Sequence, residues 1–230
     1  MTAPRVAAFA VAVLLSASTV SAQVYLGSPA PRSGSVEIGG GVLWIGGVDL
    51  GERTAELSRN SDPAAGPFDL FSAESQLKAA AGFQARLGYY LSPNVSVEGG
   101  LRIAKPVLSI GLSGDAESAA DETAEETLNQ YIFDGSLVLH MTGISFAGGN
   151  GIPFVFGGAG YVRELHQGNE LIETGTEFHG GAGVNIWFGS GQRRLGLRGD
   201  LMISSRKGGF DFEEKRRVVP VASASLVYLF

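Results

Sequence analysis

In separate segments from residue 34 to the C-terminus the sequence alternates apolar and polar side chains with a period of two, and nowhere after residue 22 does it hold 18 consecutive apolar residues. A period of two puts neighbouring side chains on opposite faces of a strand, so this chain is written for strands with one apolar face. Helical membrane spans, which need roughly 20 apolar residues, are excluded. A closed barrel is not, because its wall satisfies every backbone N–H and C=O internally.

The alternation predicts eight strands, at 34 to 50, 76 to 91, 95 to 112, 128 to 146, 153 to 164, 175 to 188, 194 to 206 and 216 to 230. An even number of antiparallel strands in up-and-down order can close, the last pairing with the first. The connections differ in kind. Ser92-Pro93-Asn94, 147–152 and 189–193 are short turns, whereas 51–75, 114–127, 165–174 and 207–215 are longer polar segments expected to be loops. Short turns at one end and long loops at the other is the pattern of membrane barrels. The expected fold is all-β, an eight-stranded antiparallel up-and-down transmembrane β-barrel.

The same alternation sorts the faces. Ala79, Ala81, Phe83, Ala85, Leu87, Tyr89 and Leu91 oppose Gln84 and Arg86; Val95, Val97, Leu101 and Ile103 oppose Ser96, Glu98 and Arg102. Tyr131, Phe133, Leu137, Leu139 and Met141 oppose Asp134, Ser136, His140 and Thr142, and Leu195, Leu197, Leu201 and Ile203 oppose Arg198 and Asp200. A soluble periplasmic barrel would turn the charged face outward. The loop asymmetry and the two chain ends favour the apolar face outward.

At the N-terminus Arg5, the apolar run Val6–Leu15 and the small residues Val20-Ser21-Ala22 form a cleavable signal peptide over 1–22. A short lead-in over 23–32 and a barrel domain over 33–230 would follow. Without the leader the net charge moves from −6 to about −7, which argues against a nucleic-acid partner. There is no cysteine, so neither disulfides nor thiolate metal sites are available. The 34 glycines fall inside the alternating segments, where they allow close approach in a tightly curved wall.

The last strand places Val218, Ala222, Ala224, Leu226, Tyr228 and Phe230 on one face and ends the chain on an aromatic ring. This resembles the C-terminal insertion signal of outer-membrane barrels. With the glycine-rich stretches 154–161 and 180–184, the whole of 33–230 resembles the small OmpA-like barrels. The resemblance implies that Tyr228 and Phe230 are read by the barrel-assembly machinery, and that the protein resides in the outer membrane of a Gram-negative bacterium. A peptidoglycan-binding domain after the barrel is not expected. Tyr89, Phe146, Phe188, Tyr228 and Phe230 would form an aromatic girdle at the turn end, with Tyr131, Phe133 and Phe178 toward the loops.

The inward positions gather Glu37, Glu98, Asp134 and Asp200 with Arg86, Arg102, Arg198 and His140. Eight strands leave an interior that side chains can fill, and buried charges must pair, so a network that plugs the lumen is expected. The alternative is a narrow gated pore or transporter for ions or small molecules. His140, His166 and His179 lack metal-ligand spacing, and no cofactor motif is present. His140-Met141-Thr142 lacks the serine that a lipid-deacylating barrel would use. The acidic run 115–126 reads as a solvated loop, with contact to a divalent cation as the alternative, and Pro63, Pro67, Phe68, Leu70 and Phe71 as a segment folded on the barrel rim, with an adhesion surface as the alternative. The expected function is non-enzymatic: a rigid barrel presenting four loops for structural or surface contacts. Its partners would be outer-membrane lipid, lipopolysaccharide and a surface ligand.

Overall fold

The computed structural model describes residues 31–57, 68–115, 120–166, 172–188, 194–208 and 215–230. The expected leader, Pro63, Pro67 and the 189–193 turn lie outside the described residues. The strands are β1 (Val36–Ile45), β2 (Val48–Leu57), β3 (Phe68–Leu77), β4 (Ala80–Ser92), β5 (Val95–Ala104), β6 (Val107–Ser113), β7 (Glu122–Thr127), β8 (Asn129–His140), β9 (Gly151–Leu165), β10 (Ile172–Phe188), β11 (Arg194–Gly208) and β12 (Arg217–Leu229).

Eight of them form a closed antiparallel barrel in the order β1-β12-β11-β10-β9-β8-β5-β4. The seam is a continuous ladder from Glu37 opposite Leu229 to Ile45 opposite Val221, so no barrel strand presents an open edge.

Beyond the loop end, β2, β3, β6 and β7 form a second antiparallel sheet in the order β2-β3-β6-β7. These strands follow or precede β1, β4, β5 and β8 in the chain and keep their lateral order, so half of the barrel wall is prolonged. This corrects the sequence reading, which took 51–75 and 114–127 as loops and ran 34–50 and 95–112 as single strands. The breaks have local causes. Pro106 cannot donate to the ladder, and a Cβ at Gly46 would sit 2.6 Å from Cγ of Pro220. The prolonged strands gave no alternation because segments such as Glu122–Thr127 are solvated on both faces. At their base Leu50, Leu77, Leu108 and Leu128 pack into a small apolar core.

The fourth predicted strand also ends early. β8 stops at His140, and short 3-10 turns at Thr142–Ile144 and Ala147–Gly149 carry the chain to β9. Ala147, Gly148 and Gly149 all have positive φ there, which strand geometry does not permit.

The two faces of the wall are inverted relative to a water-soluble protein. Phe83, Leu201, Val218 and Ile203 are exposed on the outside, Phe83 by 70%. Inside, Arg198 is 2% exposed and Glu37 is equally buried.

Candidate functional site

The lumen holds the chain's densest polar chemistry, and strand alternation puts it there. Glu37, Arg86, Glu98, Arg102, Asp134, His140, Arg198 and Asp200 all project inward, most of them buried.

One network centres on Arg198 of β11. Its Nη1 donates to Oε1 of Glu98 at 2.7 Å and lies 3.6 Å from Glu37, while its Nε is 3.4 Å from Asp200. Arg86 reaches the same Asp200 carboxylate at 3.3 Å, and the Tyr90 hydroxyl donates to Glu37 at 2.8 Å. The Arg198 guanidinium also stacks over the Phe154 ring, 4.2 Å from its centroid. One cation thus faces three carboxylates, with a second cation alongside, which is how a low-dielectric interior tolerates such groups.

A second network centres on Glu177 of β10. Arg102 binds both Glu177 and Asp134, the latter at 3.1 Å. Arg206 and Ser204 donate to Glu177 at 3.0 and 2.7 Å. Arg206 and Glu164 are joined through Gln130. Sequence reasoning missed Glu177, Arg206, Gln130 and Glu164, and weighed His179 only as a metal ligand, not as a member of the inner network. The signal was parity with Phe178, which faces outward and so sends Glu177 and His179 inward.

His140 adjoins the first network through Tyr90. Its Nε2 meets the Ser96 hydroxyl at 2.9 Å, and its ring stacks on Tyr90. His179 Nε2 meets the Ser136 hydroxyl at 2.7 Å and its Nδ1 lies 3.3 Å from Glu177. That order of groups is the one serine hydrolases use. Here Ser136 and His179 line an internal cavity of about 30 Å³ together with Arg86, Glu98, Arg102 and Asp134. Such a volume holds about two waters. Among the described residues no cluster of His, Cys, Asp and Glu is arranged to hold a metal ion.

Apolar layers flank the charges. Toward the turn end Tyr90, Ile152, Trp187, Val227 and Leu229 pack together. Toward the loop end Leu43, Ile45, Ala80, Ala104, Ile132, Val162, Met202, Val219 and Val221 form the larger cluster. The glycines make room for the large groups: a Cβ on Gly100 would lie 2.8 Å from a carboxylate oxygen of Asp134.

Outside, the girdle positions Tyr89, Phe133, Phe146, Phe178, Phe188, Tyr228 and Phe230 are exposed, and Tyr131 is half-buried. Trp44 and Tyr161 join them near the loop end. The Tyr228 and Phe230 rings meet edge to face with centroids 4.7 Å apart. The acidic segment divides, 122–127 becoming β7 while 116–119 lies outside the described residues.

A closed eight-stranded barrel with an apolar exterior and a charged, filled interior is the class that this geometry defines. Solved structures of outer-membrane proteins resemble it in fold. The outer membrane protein OprG from Pseudomonas aeruginosa superposes with a TM-score of 0.51 at 13% identity, over 88% of this chain and 98% of that one. Ail, the attachment invasion locus protein of Yersinia pestis, gives 0.44 at 14% identity, over 86% of this chain and 100% of Ail. The outer membrane protease OmpT from Escherichia coli gives 0.38 at 11% identity, over 91% and 100%. At these identities the likeness concerns the fold. No family model matches the chain, and no curated protein resembles it in sequence.

Proposed function

We propose that this chain is an integral outer-membrane barrel, related in plan to the small OmpA-like barrels, whose function is structural or surface-interacting rather than catalytic. The observation that carries the reading is the inverted polarity of the wall: Phe83, Leu201 and Ile203 outside, Arg198 and Glu37 inside. A water-soluble barrel exposing that belt would aggregate, whereas lipid matches it without cost to the closed backbone ladder. The short turns then face the periplasm and the β2-β3-β6-β7 sheet faces outward, as a rigid platform for contacts. Export by the signal peptide and assembly through Tyr228 and Phe230 belong to this reading.

The two apolar layers and the paired charges between them favour a plugged lumen over a conducting one. The cavity beside Ser136 and His179 has no space for an acyl or peptide substrate, which favours a non-enzymatic role.

The test is fractionation followed by reconstitution. The protein is expected to stay with the outer membrane through osmotic shock and high salt and to leave it only with detergent. Release by osmotic shock alone would overturn the membrane reading. In planar bilayers the pure protein is expected to be electrically silent, and reproducible unitary currents would overturn the plugged lumen.

A further inference from the structure

The outward positions of the eight barrel strands carry no Asp or Glu among the described residues. Their charged members are Arg163 on β9 and Lys207 on β11, both at the loop end. Arg216, immediately before β12, joins them. All three are exposed, and none makes an ion pair among the described residues. On the prolonged half of the wall, by contrast, Lys78 is neutralised by Glu125 at 2.5 Å, and Lys105 lies just past β5.

The register brings the three together. Thr176 of β10 lies opposite both Tyr161 and Lys207, and Thr174 opposite Arg163. The β11–β12 ladder ends at Arg206 opposite Arg217, which leaves Lys207 and Arg216 side by side at its end. The Arg216 guanidinium lies over the outward Phe178 ring, 5.2 Å from its centroid. Arg163 and Lys207 are two strand spacings across and two residues along the wall from each other, about 12 Å. The two threonines of β10 thus lie between Arg163 on one side and Lys207 and Arg216 on the other, Thr176 level with the Tyr161 ring position and two residues above Phe178. Aromatic rings mark the depth at which hydrocarbon gives way to headgroups, and long basic side chains there reach for phosphate.

Resting on the membrane reading above, we propose that Arg163, Lys207 and Arg216, with Thr174 and Thr176, form a docking surface for the phosphate groups of a phosphorylated glycolipid in the outer leaflet. The side of the wall that lacks the prolonged sheet is thereby the lipid-gripping side.

The test uses the full mature chain refolded in maltoside micelles, with native mass spectrometry counting bound lipid. The probes are a bis-phosphorylated diglucosamine lipid, its dephosphorylated counterpart and inorganic phosphate. The wild type is expected to retain the phosphorylated lipid. The triple variant R163Q/K207Q/R216Q should bind it about 100-fold more weakly, roughly fivefold for each cation, while K78Q binds as the wild type does. Equal binding by the triple variant, equal binding of the dephosphorylated lipid, or inorganic phosphate binding as tightly as the lipid would each overturn the proposal. Heat-modifiable gel migration checks folding, and if the triple variant fails to fold, K207Q alone should show the fivefold loss. Micelle binding is read independently of fractionation, so failure here is distinct from failure of the membrane reading.

Discussion

Arg198 on β11 hydrogen-bonds Glu98 on β5 at 2.7 Å across the full width of the barrel, for three strands separate the two in either direction around the wall. A bond between opposite walls acts as a strut. It also fixes the fate of three carboxylates, since Glu37 and Asp200 depend on the same guanidinium. R198M should therefore destabilise the barrel by about 3–5 kcal/mol, the cost of leaving buried carboxylates without their partner. Urea unfolding in lipid vesicles, followed by the fluorescence of Trp44 and Trp187, measures this directly. A change under about 1 kcal/mol would mean that the strut is dispensable.

Neighbouring glycines on β5 should behave oppositely. Gly99 faces outward with nothing within 4 Å of a built Cβ, whereas a Cβ on the inward Gly100 would press on Asp134 at 2.8 to 3.0 Å. G99A should be neutral or slightly stabilising, through the reduced freedom of the unfolded chain. G100A should cost about 1–3 kcal/mol, since Asp134 would have to move away from Arg102. The same unfolding assay compares them, and similar midpoints for both variants would refute the space-filling account of the inner glycines.

Why some of this was legible in the sequence and some was not follows from where contrast exists. In β5, Glu98 and Arg102 alternate with Val97 and Leu101, and one glance separates the faces. In β10, the outward Thr174 and Thr176 are as polar as the inward Glu177, because that stretch lies beyond the apolar belt of the outer face. Parity survives there only through Phe178. The strands β2, β3, β6 and β7 are solvated on much of both faces, so period two vanishes although hydrogen bonding continues. Which charges meet is harder still. The pairing of Arg198 with Glu98, or of Arg102 with Glu177, is set by barrel tilt and stagger, and no local pattern encodes it.

Leu201 sits at the middle of β11 with 69% of its surface exposed. If lipid covers it, L201R should destabilise the vesicle-embedded barrel by about 2–4 kcal/mol, the cost of a cation near the bilayer midplane. The same substitution on a water-facing surface would change stability by less than about 0.5 kcal/mol. Because Leu201 takes no part in the lumen networks, the size of the effect reports only the medium outside. A near-zero result would contradict the apolar belt as a lipid surface.

Phe230 closes the seam, its N–H donating to the Val36 carbonyl at 2.8 Å while its ring meets Tyr228 edge to face. F230S keeps the backbone bond and removes only the ring contact. In purified protein refolded into micelles the loss should be about 0.5–1.5 kcal/mol, the worth of one aromatic pair. A residue that matters only for stability would lower the folded fraction in cells in proportion to that small change. A residue read during assembly would lower it far more. Quantifying the heat-modifiable, folded fraction in whole cells beside the refolded stability separates the two, and the expected result is a several-fold cellular loss with near-normal refolding. Matching losses in both assays would reduce Phe230 to an ordinary seam residue.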